Sequence, residues 1–291
     1  MTVKTVKYEI ENITDFSLKD TLECGQCFRF YEDDKGGYTG VVGKSVIRAF
    51  FCEEEGTLVI EESGEEKGRE FYEEYFDLKR DYGKIKRYLI NKDKKMKEVI
   101  EYGKGIHILK QEPFETLISF IISQNNHIKR IKKSIKMLSE EFGEEIKDGS
   151  TEKHYAFPEP KKLASLAVED LSDIKLGYRD KYIIEAAKRV EAIGEEEFKK
   201  YRDKCFTETK SYLEGFLGVG EKVAGCVLLF GFNMMAGFPI DVWMKRIMRE
   251  LYGVSIEDRK TMEEISTRLY GKHKGIAQQY LFNYAMKKKI M

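Results

Sequence analysis

Lys222 and Asp241 are the two residues of this 291-residue chain whose type and setting carry the most chemistry. Lys222 sits in Tyr212-Leu-Glu-Gly-Phe-Leu-Gly-Val-Gly-Glu-Lys222-Val-Ala-Gly-Cys226. A lysine acts as a nucleophile only as the neutral amine, and closeness to a helix N-terminus and other cations favours that form. Asp241 follows nineteen residues later in Phe238-Pro-Ile-Asp241-Val-Trp-Met-Lys-Arg, where a Pro-x-Asp enters an amphipathic basic helix. Its spacing suits an N-cap, whose side chain accepts backbone hydrogen bonds that favour the anion. An amine and a held carboxylate together suit covalent attack with stabilisation of a developing positive charge.

Particular elements must position these groups. Gly218 and Gly220, one residue apart, permit a tight turn with close backbone approach, and Val223, Ala224, Val227 and Leu228 open a buried helix after it. This helix-hairpin-helix pattern aims backbone N–H groups outward and can hold a phosphate without reading sequence. Upstream, Phe114, Leu117, Ile118 and Ile121 follow Pro113 at helical spacing, giving one buried face. Ser123-Gln-Asn125-Asn-His127 breaks the pattern before a second amphipathic helix with Ile128, Ile131, Ile135 and Leu138 inward. A further helix spans about 181–190. Residues 26–62 read as an antiparallel meander of short strands beginning at Gln26, with a turn at Gly36-Gly37. The period turns helical from residue 68, and a boundary falls near residues 103–105.

Composition agrees with a helix-rich globule of two or three subdomains: 42% hydrophobic, 35% charged and only 4 prolines. No run approaches the roughly 18 to 20 apolar residues of a membrane span, and the opening MTVKTVKYEIENIT lacks a signal-peptide core, so a cytoplasmic location is expected. The five cysteines are scattered, as reduced thiols are, and the Cys24–Cys27 pair has no second pair to complete a metal site. Formal charge is zero, 51 basic against 51 acidic, yet residues 222–291 hold 12 Lys/Arg against 6 Asp/Glu, a local excess of six. Another basic run is 127–133, and Lys287-Lys288-Lys289 lies near the end. Such runs are solvated helix faces by default and favour a nucleic-acid partner only when a motif supports it.

The motif is present. Leu217-Gly-Val-Gly-Glu-Lys222-Val-Ala, Pro239-Ile-Asp241-Val and Cys24-Gly25-Gln-Cys-Phe-Arg29, with Gly275-Ile-Ala-Gln278-Gln-Tyr-Leu-Phe282, resemble the helix-hairpin-helix glycosylase superfamily and, within it, the 8-oxoguanine DNA glycosylases. The resemblance covers nearly the whole chain. It implies excision of 8-oxoguanine from duplex DNA, with Lys222 attacking C1′ to form a Schiff base, strand cleavage by β-elimination, and Asp241 stabilising the cationic sugar. It implies that the Gly25 carbonyl accepts from N7–H of the lesion, that Cys226 and Phe282 sandwich the extruded base, that Gln278 meets its Watson–Crick edge, and that Phe230 lines the wall. Asn125, Arg130 and Arg179 would hold the orphaned cytosine, with Tyr178 as the wedge beside it, since extruding a base costs a few kcal/mol. Gly218, Gly220 and the helix at Trp243 would meet the DNA backbone.

The sequence departs from the family pattern at His127, where asparagine is common, at Trp243, where histidine is usual, and at Leu217, where proline is common. No cysteine lies beyond Cys226, so an iron–sulfur cluster is not expected. No cofactor or metal is expected either, apart from a monovalent cation that the superfamily allows at the hairpin carbonyls. The expected architecture is α+β: an N-terminal antiparallel sheet domain, 1–104, on a two-lobed helical domain, 105–291, with the site between the lobes. A monomer acting on double-stranded DNA, and not on a membrane, is expected. The rivals are a glycosylase for alkylated or other oxidised bases, which Lys222 disfavours, and a non-catalytic DNA-binding module.

Overall fold

The structure, a computed structural model, describes residues 4–290. Strands β1 (Thr5–Ile10), β2 (Phe30–Glu32), β3 (Tyr38–Val42), β4 (Ser45–Cys52) and β5 (Thr57–Gly64) form one antiparallel sheet in the order β1-β5-β4-β3-β2. Alternation along β4 and β5 sends Ile47, Ala49, Leu58 and Ile60 to one face, where they are fully buried. Helix α1 (Leu18–Glu23), capped by the Ser17 hydroxyl, and α2 (Arg69–Tyr75) cover that face.

Two expectations for this region need amending. The strand begins at Phe30, not at Gln26, because the Gln26 and Arg29 side chains are drawn inward to carbonyls of other segments, which pulls residues 26–29 out of any ladder. The terminal strand β1 was not anticipated. Its apolar residues Val6, Tyr8 and Ile10 alternate with exposed Thr5, Lys7 and Glu9, a strand period present in the sequence itself, and it pairs with β5 along its length.

Helices α3 (Tyr82–Lys92) and α4 (Met96–Glu101) turn away from the sheet and bury Tyr82, Ile85, Leu89, Met96 and Val99 in the larger, helical core. After residues 102–112, Pro113 starts α5 (Pro113–Ile122) in the first turn, where its missing N–H costs nothing. All but Glu115 of that helix is buried, because four later helices pack on it. Around it stand α6 (Ile128–Phe142), the small β6–β7 ladder (Glu145–Ile146 with His154–Tyr155), α7 (Pro160–Ala164), α8 (Arg179–Ile193), α9 (Glu195–Lys199), α10 (Phe206–Glu214), α11 (Glu221–Phe230), α12 (Val242–Tyr252), α13 (Arg259–Tyr270) and α14 (Lys274–Lys288). Helix α14 packs on α12 and α4, and α11 packs on α5 and α10. The expected helices over 114–121, 128–138 and 181–190, and those flanking the hairpin, are all present, the second running on to Phe142. The last helix therefore reaches back to the loop that joins α1 to β2.

Candidate active site

A cavity of about 480 Å³ opens where α5, α6, α11, α12 and α14 converge with the loop after α1. Its lining includes Gly25, Lys222, Cys226, Phe230, Asp241, Trp243, Gln278 and Phe282. These come from four stretches of sequence up to 257 residues apart, and the structure brings all of them together. Asn125, Arg130, Tyr178, Arg179, Gly218 and Gly220 lie outside the cavity.

Lys222 is the second residue of α11, where unpaired backbone N–H groups add partial positive charge. Its Nζ lies 3.4 Å from the Ser123 hydroxyl, to which it donates, and 5.3 Å above the Phe120 ring. Ser123 in turn donates to the Phe120 carbonyl at 2.8 Å, which leaves its lone pairs free to accept from the amine. Asp241 is the N-cap of α12, as expected, accepting from the Met244 N–H at 2.8 Å. The cap does not dominate its electrostatics. Burial raises the Asp241 carboxyl above the ordinary carboxylate range, against the pull of the Met244 N–H and the Lys222 charge. Burial likewise pushes the Cys226 thiol up to about 11, so it is a neutral contact surface rather than a nucleophile.

On the opposite wall, Gly25 has φ +81, and a Cβ there would sit 3.3 Å from the Phe282 ring. Glycine is needed both for the backbone and for the close approach of that ring. Gln278 is buried, and its Oε1 has no hydrogen-bond partner among the described residues although the side chain lines the cavity. An orphaned buried acceptor on a cavity wall is expensive unless a ligand supplies the donor. Phe230 stacks on Phe120, with centroids 5.5 Å apart, and closes the floor.

Sequence reasoning missed Phe120, Ser123, His127, Gln279 and Met286, which also line the cavity. Phe120 and Ser123 belong to an apolar helix and its end, where nothing in the pattern separates a cavity wall from core. His127 closes the polar break between α5 and α6 and caps α6, its Nδ1 accepting from the Arg130 N–H.

The remaining predicted residues form a strip beside the cavity. Asn125, at φ +47, donates to the Tyr178 hydroxyl at 3.4 Å. Tyr178 is half exposed and meets Tyr182 edge-on at 5.6 Å. Tyr182 lies against Gly218, where φ is +76 and an added Cβ would fall 2.2 Å from the ring. Gly220 faces open space. Arg179 is buried, donating to the Gln124 and Leu176 carbonyls, while Arg130 is exposed and donates to the Lys175 carbonyl at 3.2 Å. Arg179 thus braces the turn that carries Asn125.

With this geometry in place, comparison with known proteins is decisive. Residues 10–117 match the 8-oxoguanine DNA glycosylase N-terminal domain, and residues 118–272 match the HhH-GPD superfamily base excision DNA repair proteins. The chain belongs to the 8-oxoguanine glycosylases of the helix-hairpin-helix superfamily. It is 31% identical, over 77% of its length and 76% of the relative's, to a protein of Methanothermobacter thermautotrophicus named "Probable N-glycosylase/DNA lyase". Among solved structures it is similar to the Clostridium acetobutylicum 8-oxoguanine glycosylase/lyase in complex with double-stranded DNA containing cytosine opposite 8-oxoguanine: TM-score 0.89, 35% identity, 100% of this chain and 99% of that one. The 3-methyladenine DNA-glycosylase of Archaeoglobus fulgidus, 22% identical with TM-score 0.78 over 98% of this chain and 100% of that one, shares the fold. As a member of this glycosylase family the chain is a base-excision repair enzyme with DNA glycosylase and lyase activity, and its partner is double-stranded DNA. Among the described residues no helix is long and apolar enough to cross a membrane.

Proposed function

We propose that the 480 Å³ cavity takes an 8-oxoguanine extruded from a duplex in which it faced cytosine, and that this chain's residues divide the work as the family resemblance implies. One observation carries the reading: an amine, a half-buried carboxylate and an unsatisfied buried amide oxygen face the same void. The flat base slides between the Cys226 thiol and the Phe282 ring, with Phe230 at the wall. The Gln278 Oε1 accepts from its Watson–Crick edge, and the Gly25 carbonyl accepts from N7–H. Guanine has a bare N7 and would oppose two acceptors there, which is how one proton can discriminate.

The Lys222 amine then forms a bond to C1′ as the C1′–N9 bond breaks, and the bonding pair leaves with the base, which takes up a proton. Asp241, held by the α12 cap, stabilises the positive charge on the sugar as it develops. Opening of the sugar ring gives the Schiff base, and loss of a C2′ proton expels the 3′ phosphate. The half-exposed Tyr178 fills the gap in the duplex. Asn125, Arg130 and Arg179 hold the estranged cytosine, Arg179 partly by bracing the turn. Gly218, Gly220 and the α12 end at Trp243 lie along the backbone. No cofactor takes part in these steps, and the enzyme acts as a monomer in the cytoplasm, at the DNA.

Borohydride trapping on a duplex with one 8-oxoguanine opposite cytosine tests this reading. A covalent adduct is expected with the lesion and not with guanine in its place, and Lys222→Gln should abolish it while retaining lesion binding. Undiminished cleavage by that variant would refute the assignment.

A further inference from the structure

Gln279 stands next to the base-reading Gln278 on α14 and borders the same cavity, but its amide reaches past that void to the loop at Gly25. It is 2% exposed, and its Nε2 donates to the Cys24 carbonyl at 2.7 Å, across 255 residues of chain. That carbonyl belongs to the peptide preceding Gly25. Because a peptide is planar, holding its oxygen holds the Gly25 nitrogen as well. The other side of Gly25 is held independently. The Gln26 amide donates to the Thr21 and His107 carbonyls, each at 2.8 Å, and accepts from the Leu109 N–H at 2.9 Å. The Gln26 carbonyl accepts from Gln111 at 2.7 Å.

With both neighbours anchored, the Gly25 carbonyl has little freedom to turn. The anchors differ in what they refer to. Those on Gln26 tie it to the segments at 21 and 107–111, whereas Gln279 ties the loop to the helix that carries Gln278 and Phe282.

We propose that Gln279 is a positioning residue for lesion recognition, fixing the Gly25 carbonyl relative to Gln278 and Phe282 so that both edges and one face of the base are read in one rigid frame. The inference rests on the Gly25 carbonyl being the acceptor for N7–H. A hydrogen bond weakens steeply with misalignment, so a loop released by loss of Gln279 would lose the one contact that distinguishes 8-oxoguanine from guanine. Steps that need no base in the pocket would be spared.

The test compares two substrates. Gln279→Met keeps length and bulk without the donor, and Gln279→Glu keeps shape with a carboxylate in its place. Single-turnover release of 8-oxoguanine opposite cytosine should fall about tenfold or more in both, the scale expected when a buried carbonyl loses its partner. Borohydride trapping on a duplex with a ready-made abasic site opposite cytosine should stay near the wild-type rate. Unchanged release of 8-oxoguanine overturns the proposal, and so does a parallel loss on both substrates in both variants, which would mark Gln279 as general packing. Wild-type protein on guanine in the same duplex separates the two levels. Equal release of guanine and 8-oxoguanine would remove the Gly25 reading and this inference with it, whereas intact discrimination with unaffected variants would remove this inference alone.

Discussion

Two buried polar regions lie side by side in this enzyme and are built on opposite principles. In the seam between sheet and helices most anchors close on one another, although the His107 Nε2 is left unpaired among the described residues. Thr21 donates to the Gly105 carbonyl and accepts from the His107 N–H, Tyr82 accepts from the Ile108 N–H, and the His107 Nδ1 pairs with the Phe76 carbonyl while its ring stacks on Tyr82 at 3.8 Å. In the cleft the same kinds of group are left open: the Gln278 oxygen is unpaired and the Asp241 carboxylate lies on a void. Burial shifts titration in both, since His107 is pulled down to about 4 and Asp241 is raised. A perturbed group therefore marks a site only where its surroundings leave room for a partner.

The largest expected effect separates the two uses of Asp241. Asn is as good an N-cap, so Asp241→Asn should preserve α12 while removing the charge, and single-turnover base release should fall about 10²–10³-fold. Because folding raises the Asp241 pKa, the ionised carboxylate costs the native state stability once pH exceeds the ordinary carboxylate range. The Asn variant should accordingly melt no lower than wild type at neutral pH. A rate near wild type would show that the cap alone matters.

The seam predicts an effect on stability. Below pH 6.5 the unfolded chain protonates His107 while the native ring stays neutral down to about 4. Unfolding free energy should thus fall by roughly 3 kcal/mol between those limits, at about 1.4 kcal/mol per pH unit, and then level off. Denaturant titrations across that range should lose this slope in His107→Phe, which keeps the stack on Tyr82. An unaltered slope would place the titrating group elsewhere.

The hairpin repeats the contrast within three residues. Gly218→Ala meets a left-handed backbone and the Tyr182 ring, so thermal unfolding should show a loss of about 1–3 kcal/mol. Gly220→Ala meets no atom within 4 Å at a φ of −89, so stability should stay within about 0.5 kcal/mol. Its cost should appear instead as roughly 1–2 kcal/mol of weaker duplex binding, where a backbone N–H approaches phosphate. Unchanged binding would mean that the DNA keeps its distance from this turn.

How far the sequence could be read followed the reach of each interaction. The α5 face, the α11 start, the Asp241 cap and the hairpin glycines depend on neighbours within a turn or two, and spacing alone locates them. Asn125 and Gly25 were found through the family motif, although each also answers a local demand for positive φ. The edge strand β1 was legible, since Val6, Tyr8 and Ile10 alternate with Thr5, Lys7 and Glu9, whereas Gln26, in a stretch that reads as strand, is tethered by groups from residues 21 and 107–111. Gln279 and Ser123 could not be distinguished from their neighbours, because their roles exist only once α14 meets the Gly25 loop and α5 meets α11.

By itself, then, the sequence determined the chemistry: which amine, which carboxylate and which glycine turns are available, because residue type and short-range geometry travel with the chain. Tertiary structure alone decided which of those groups share one void, which buried polar atoms stay unpaired, and that Asp241 is raised rather than lowered. Those outcomes depend on how much water the packing of distant segments excludes, a property that no short stretch of sequence carries.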